Sequence, residues 1–336
     1  MTGSTKRTQD GPEGAKPFFS VVIPAYNVVD YLDECLESVL NNLLEDYEIV
    51  LIDDGSSDGT SNLVDEWAQR DLRVKPVHQR NGGLSAARNA GIAVARGRYV
   101  VFLDADDCLA PWALVDLSNI IRSASEPDVV ITEISNVRDM MQMPLRSDEI
   151  CIGSVRLSKD DAFRYVFTEK AHTWPAPQYL IKRSYIEKAG LAFANGILHE
   201  DVCWTAEVMA SAGSFAAYSH PWYIRRYERD GSIMSSTNVR HITDTVQAVK
   251  IARDSSSFTE LTESQANLLE KRLAMSLFPS LRQYGKLDGA EKARAVACVE
   301  ENLSLFALSH KPAHRFFVAV CKILGAALAL RLVSSR

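Results

Sequence analysis

The sequence predicts an α/β fold, with a mostly parallel central sheet covered by helices and followed by a C-terminal helical region. Three observations carry this reading. Between residues 18 and 133, short apolar runs alternate with helix-length stretches of about a dozen residues, the pattern of parallel strands joined by helical crossovers. Polar clusters follow three of those runs, at the strand ends where open parallel sheets hold ligands. Beyond residue 238 only helical periodicity remains.

In order, "FFSVVIPAYN" (18–27) reads as a strand and "DYLDECLESVLNNL" (30–43) as a helix. "YEIVLIDD" (47–54) is a strand, "TSNLVDEWAQR" (60–70) a helix, "LRVKPVH" (72–78) a short strand and "LSAARNAGIAVA" (84–95) a helix. "YVVFLDAD" (99–106) is again a strand, a helix starts near Pro111, and "DVVITE" (128–133) closes the series. From 134 to 237 the pattern is less regular, with a helix near 158–169 and "SYIEKAGLAF" leading into "NGILHEDVCWTAEVMASAG". Four helical stretches then fill 238–336. Residues 1–17 are polar and rich in Gly, Pro and charge, and read as a disordered leader rather than a signal peptide.

Composition narrows the function. The chain has 336 residues, 46% hydrophobic and 24% charged, enough to bury a sizeable core. Its net charge of −6 argues against a nucleic-acid partner. Six scattered cysteines with no C-x-x-C pair argue against a disulfide framework or a structural zinc, and fit a reducing cytoplasm. No run reaches the roughly 20 apolar residues of a membrane span; the nearest, 316–333, is interrupted by Lys322 and Arg331.

The sharpest local signal is "YVVFLDADDCLAP" (99–111), in which Asp104, Asp106 and Asp107 crowd the end of a buried strand. Such anions repel one another and cost free energy to desolvate. Asp104 and Asp106 suit a divalent cation bridging a diphosphate, as hard Mg²⁺ or Mn²⁺ take few protein carboxylates and fill the remaining positions from phosphate oxygens. An acidic cluster before a helix serves the helix dipole equally well, and Asp107 needs no other role. In "LIDDGSSDGT" (51–60), Asp54 can accept from a uracil imide or from ribose hydroxyls, whereas Asp58 and Thr60 suit a helix cap and the glycines a turn. "VVIPAYN" offers an irregular backbone at Pro24–Ala25 to grip a base, with Tyr26 as an aromatic wall and Asn27 beside it.

Gly82 and Gly83, ahead of a helix, let backbone approach a ligand, while Arg88 and Asn89 on that helix fit a packed or exposed polar face as well as a ligand contact. In "LHEDVCW" (198–204), Glu200 and Asp201 open a helical run as an acidic first turn or as a catalytic base pair, with His199 adjacent. Arg225, Arg226 and Arg229 can neutralise a diphosphate or line a solvated strand edge. Trp174 and Tyr179 are candidate stacking residues for an acceptor, and core packing is their commoner fate.

"VVIPAYN", "LIDDGSSDGT", "NGGLSAARNAGI", "FLDADD" and "HEDV", in that order, resemble the inverting family 2 glycosyltransferases of GT-A fold, over roughly residues 18–235. The likeness is to the non-processive bacterial enzymes of capsule, exopolysaccharide and O-antigen synthesis, since the Q-x-x-R-W signature of processive synthases is absent. The resemblance implies a nucleotide-sugar donor, usually a UDP-sugar, with Mn²⁺ or Mg²⁺ on Asp104 and Asp106. It implies Asp54 on the base, Asp201 as catalytic base and Glu200 as its support. The donor would lie among Pro24, Ala25, Tyr26, Asn27, Gly82, Gly83, Arg88, Ala105, Arg226 and Arg229. Residues 18–133 would form the donor half and 134–237 the acceptor and catalytic-base half. A glycan or undecaprenyl-diphosphate-linked saccharide would be the acceptor. The enzyme would then be cytoplasmic, or peripheral on the inner membrane face through the basic, apolar segment 311–336, which fits a helix packed on the protein's own core equally well. Rival classes lack their marks: no G-x-G-x-x-G follows a strand, and no Gly-rich basic loop follows the first. A non-catalytic sugar-nucleotide-binding protein is the remaining alternative.

Overall fold

The computed structural model describes residues 16–137, 155–169, 174–226 and 237–334. The leader to residue 15 and Arg229 lie outside them. In the first half the strands are β1 (Phe19–Ala25), β2 (Tyr47–Asp53), β3 (Val74–His78), β4 (Tyr99–Phe102) and β5 (Cys108–Leu109). The helices between and after them are α1 (Val29–Leu40), α2 (Thr60–Arg70), α3 (Leu84–Val94) and α4 (Ala113–Ser123). β6 (Val129–Val137), β7 (Val155–Leu157), α5 (Lys159–Arg164), β8 (Tyr179–Lys182), α6 (Arg183–Ala189), α7 (Glu200–Ser211) and β9 (Phe215–Arg226) follow. The C-terminal helices are α8 (Arg240–Asp254), α9 (Ser256–Thr259), α10 (Glu263–Leu281), α11 (Gly289–Glu301), α12 (Leu303–Phe306), α13 (Pro312–Leu324) and α14 (Ala326–Ser334).

Among the described residues the sheet runs β3-β2-β1-β4-β8-β6-β9-β5, with β7 also paired to β9. β3, β2, β1 and β4 are parallel, as the alternation of strands and helices predicts. Beyond β4 the sheet is mixed: β8 is antiparallel to both β4 and β6, and β6 runs parallel to β9. The strand at 128–133 therefore does not close the parallel series beside β4. β8, four apolar-rich residues later in the chain, slips between them, because an antiparallel neighbour needs no helical crossover to reach its place.

Side chains alternate across this sheet and build two cores. Val22, Val50, Ile52, Val100, Phe102, Val129 and Ile131 pack with α3, α7 and the C-terminal helices. Val21, Ile23, Ile49, Leu51, Val101, Leu103 and Val130 pack against α1 and α4 on the other face. The period of two follows from strand geometry. Leu269, Leu273, Phe306 and Phe317 share the first core with the sheet, so the C-terminal helices are packed onto the α/β body.

α3 approaches the sheet unusually closely, and Gly91 permits it. A Cβ there would stand 2.3 Å from Val22 Cγ1 and 3.0 Å from Ile52 Cδ1. This approach fixes the helix that carries Arg88. Gly91→Ala should therefore destabilise the protein by about 1–3 kcal/mol through overpacking, despite alanine's better helix propensity. Urea unfolding measures it, and an unchanged midpoint would show that the interface has room.

Candidate active site

The carboxyl ends of β1, β2 and β4 meet the start of α7 in one crevice. β1 stays in a regular ladder through Pro24 and Ala25, paired with Ile52 and Asp53, and both residues are buried. This corrects the expected irregular backbone there. β4 ends opposite Val22, so Pro24 has only β2 as a strand neighbour, where a residue without an N–H is tolerated. The irregularity begins later. Asn27 has φ of 51°, donates its N–H to Ser56 Oγ and accepts from Ser57 N–H, tying the first loop to the second. Tyr26 beside it is 48% exposed, which leaves its ring open to stack on a ligand.

Asp54 is buried, and its partners lie within the chain. Oδ1 accepts from Gln79 Nε2 at 2.6 Å and Gly82 N–H at 2.9 Å, and Oδ2 from Gly83 N–H at 2.8 Å. Its own N–H donates to the carbonyl of Ala25. The amides of Gly82 and Gly83 thus point at Asp54, and the glycines join the second and third loops. Gly83, at φ of 83°, holds a backbone conformation that other residues resist. Asp58 and Thr60 do not form the expected side-chain cap of α2 but tie the second loop to the first: Asp58 Oδ1 accepts from Thr60 N–H and Oδ2 from Val29 N–H, and Thr60 Oγ1 accepts from Val28 N–H.

Arg88 stands at the centre of the crevice, 1% exposed. Nη1 donates to Glu200 Oε1 at 3.0 Å and Asp201 Oδ1 at 2.8 Å, and Nη2 to Asp104 Oδ1 at 3.0 Å. Its guanidinium lies over the Phe193 ring, 5.2 Å from the centroid. Burial alone would favour losing its proton, but Asp201, Asp104 and Glu200 hold it charged. Asn89 braces the same segment, donating to the Phe193 carbonyl and accepting from the Phe193 N–H. Both residues are therefore internal fasteners of the site. The sequence held one clue: an arginine amid the small residues of "LSAARNAGIAVA" sits on a helix that must pack closely, so its charge needs buried partners.

The turn after β4 divides its carboxylates. Asp104 keeps 28% of its side chain exposed, and Asp106 is part-exposed. Asp107 is buried, and it fastens the turn to β9, with Oδ2 accepting from Tyr223 OH at 2.6 Å and Oδ1 from Arg226 N–H at 2.8 Å. Burial first, then the charges of Asp104 and Asp106, push its carboxyl up to about 8. The helix-dipole role expected for Asp107 is not the one it has, since α4 begins six residues later. Arg226 donates Nε to the Asp106 carbonyl, pairs with Glu34 and lies over Tyr31, which sets its guanidinium against this turn.

Among the described residues no group of three or more His, Cys, Asp or Glu side chains is placed to hold a metal alone. Asp104 and Asp106 supply two hard oxygen donors. That donor set fits Mg²⁺ or Mn²⁺ when a ligand's phosphates provide further oxygens.

His199 adopts φ of 62° and caps α7, putting Glu200 and Asp201 in its first turn, where the helix dipole favours negative charge. Glu200 is buried, and burial, then the Asp201 charge, push it up to about 7 against the pull of Arg88. Asp201 keeps a quarter of its side chain exposed to the crevice. Burial, opposed by Arg88 and joined by Asp104, raises it above the ordinary aspartate range, so it holds a proton better than a surface carboxylate. His199 turns away to His241, Nε2 to Nδ1 at 3.1 Å. Tyr179 is fully buried in the core, whereas Trp174 stays half-buried beside Pro175.

Residues 20–141 match the family model described as "Glycosyl transferase family 2". The uncharacterized glycosyltransferase EpsJ of Bacillus subtilis (strain 168) is 31% identical over 185 residues, 54% of this chain and 52% of EpsJ. The chain thus spans about half the length of that relative. The structure of S. aureus TarS residues 1–349 in complex with UDP-GlcNAc aligns over 94% of this chain and 90% of that one, with a TM-score of 0.69 and 19% identity. The mannosyltransferase PcManGT from Pyrobaculum calidifontis, solved with GDP-Man and Mn²⁺, aligns over 98% and 91%, with a TM-score of 0.52 and 19% identity. At that identity the likeness establishes the fold, which is of GT-A type.

The raised carboxyl of Glu200 has a measurable consequence. Between its ordinary 4.5 and about 7, the unfolded chain has released a proton that the folded chain still holds. Wild-type stability is therefore present at low pH and falls as pH rises through that window. Glutamine cannot ionise, so Glu200→Gln should gain on wild type by roughly 1–3 kcal/mol from pH 5 to pH 8. Urea unfolding at the two values checks this, and a constant difference would mean that Glu200 is ionised throughout.

Proposed function

From the premise that this chain carries a glycosyltransferase family 2 domain, we propose that it moves a sugar from a nucleoside diphosphate donor, a UDP-sugar, to a hydroxyl of a lipid-linked glycan acceptor. The product would serve cell-surface polysaccharide synthesis. The observation that carries this reading is the Arg88 guanidinium. It joins a carboxylate at the end of β4 to two carboxylates at the start of α7, 112 and 113 residues away along the chain from Arg88 itself. A leaving-group site and a base site are thereby held side by side.

Residues 18–133 form the donor half in this reading. Tyr26, on the exposed first loop, stacks on the nucleobase, and the loop built on Asp54, Gly82 and Gly83 shapes the wall beside it. Asp104 and Asp106 would hold Mn²⁺ or Mg²⁺, and Arg226 would add positive charge at the same turn. The bound cation supplies Lewis-acid stabilisation of the leaving diphosphate. Asp201, exposed to the crevice and more basic than an ordinary aspartate, takes the proton of the acceptor hydroxyl. That oxygen forms its bond to the anomeric carbon as the bond to the diphosphate breaks on the opposite side, and the configuration inverts. Glu200 and Arg88 set the position and basicity of Asp201. Among the described residues no helix is long and apolar enough to cross a membrane. Action on the cytoplasmic face of the membrane, by peripheral contact through 311–336, completes the proposal.

UDP with Mn²⁺ at about 100 times its dissociation constant should stabilise wild type by roughly 2.7 kcal/mol, and Asp106→Asn should lose that gain. Asp201→Asn should keep it while transfer from a UDP-sugar falls by about 10²–10⁴-fold. Thermal shift and product formation read the two. Loss of UDP binding in Asp201→Asn would refute the base assignment, and absence of any nucleotide effect on wild type would favour a non-catalytic protein.

A further inference from the structure

We propose that the cavity between α7, α8, α10, α13 and α14 binds the lipid diphosphate portion of the acceptor, with its hydrocarbon chain inside. This inference rests on the transferase reading above. The cavity measures about 1410 Å³, larger than the roughly 300–1,000 Å³ of ordinary small-molecule sites. It therefore has room for a chain as well as a polar head.

Three features decide the occupant. The first is charge: Arg272, Arg282 and Lys311 line the cavity, and among the described lining residues there is no Asp or Glu. That is a cationic wall in a chain of net charge −6, and it complements a phosphate ester. The second is apolarity, since Phe278, Phe317 and Val320 line the same space and suit a hydrocarbon. A free saccharide would find few partners on those walls.

The third feature is position. His199 and Val202, on either side of the Glu200–Asp201 pair, line the cavity, as do Trp174 and Pro175. Pro175 precedes Ala176, whose backbone N–H supports the Asp201 carboxylate. The cavity thus reaches the helix turn and the loop that hold Asp201, although Asp201 itself is not on its wall. At other parts of its wall stand Phe316, 64% exposed, and Leu332, 46% exposed. The helices carrying them also expose Ile323 and Leu324, and from 307 to 334 the chain has Lys311, Arg315, Lys322 and Arg331 but no acidic residue. A basic, apolar surface of this kind suits a membrane interface, where a long-chain lipid would be presented.

Titration calorimetry of the full chain with a C15 isoprenyl diphosphate, the C15 alcohol and inorganic pyrophosphate tests the proposal. The diphosphate ester should bind at least tenfold more tightly than either fragment. The double variant Arg282→Glu/Lys311→Glu should weaken it at least tenfold, and so should Ala313→Trp, which places a bulky ring on the cavity wall. Melting temperatures establish that each variant folds, and Ala313→Trp decides alone if the double variant does not. Equal binding of pyrophosphate, or unchanged affinity in the folded variants, overturns the proposal. So does binding to anionic vesicles without binding of the C15 ester, which would leave the lipid on the outer helix surface only. UDP titration with Mn²⁺ on the same wild-type sample separates the two readings. UDP binding without ester binding removes this site alone, whereas no UDP binding removes the transferase reading itself.

Discussion

The structure depends on one buried guanidinium. Arg88 is surrounded by Asp104, Glu200 and Asp201, so three carboxyl groups share a single buried cation. Removing one member of a buried ionic group leaves an uncompensated charge and typically costs about 3–5 kcal/mol, more than any surface pair contributes. Such an arrangement persists where function needs charge at a fixed place. Here it keeps Asp104 and Asp201 at the crevice edge, each with about a quarter of its side chain open, while Glu200 and Arg88 lie behind them.

The rest of the fold serves that placement. Gly91 lets α3 lie against β1 and β2, Asn89 holds the 193 segment on which the guanidinium rests, and Asp107 ties the turn after β4 to β9. Asp54 draws the second and third loops together through the amides of Gly82 and Gly83. Asp54 and Asp107, which do this holding, are buried, whereas Asp104 and Asp201 at the crevice edge accept from Arg88 and still keep part of each side chain open. Exposure, more than motif membership, separates the two groups.

The parallel half of the sheet was legible because strands buried on both faces leave apolar runs, and helical crossovers leave amphipathic stretches of matching length. α2 lies at the residues its periodicity predicts, 60–70. The mixed half was not legible. β8 is four residues long, and its place between β4 and β6 depends on a pairing more than forty residues distant from either. At the site, the acidic motifs converge on one crevice, but their partners were not legible. Asp107 reads as a spare helix-start acid, and only the fold shows Tyr223 and the Arg226 N–H reaching it. Pro24 and Ala25 looked irregular because proline is rare in strands, yet β1 has lost one neighbour by that point. Arg88 was ambiguous because a lone arginine on a helix does not reveal which distant carboxylates it will meet.

The most direct measurement is a pair of double-mutant cycles in urea unfolding, Arg88→Met with Asp104→Asn and Arg88→Met with Asp201→Asn. If one guanidinium binds the turn after β4 and the α7 carboxylate together, both cycles will show coupling of about 0.5–3 kcal/mol. Additivity within about 0.5 kcal/mol in either cycle would contradict the account, because Arg88 would then belong to one side of the crevice and not join the two.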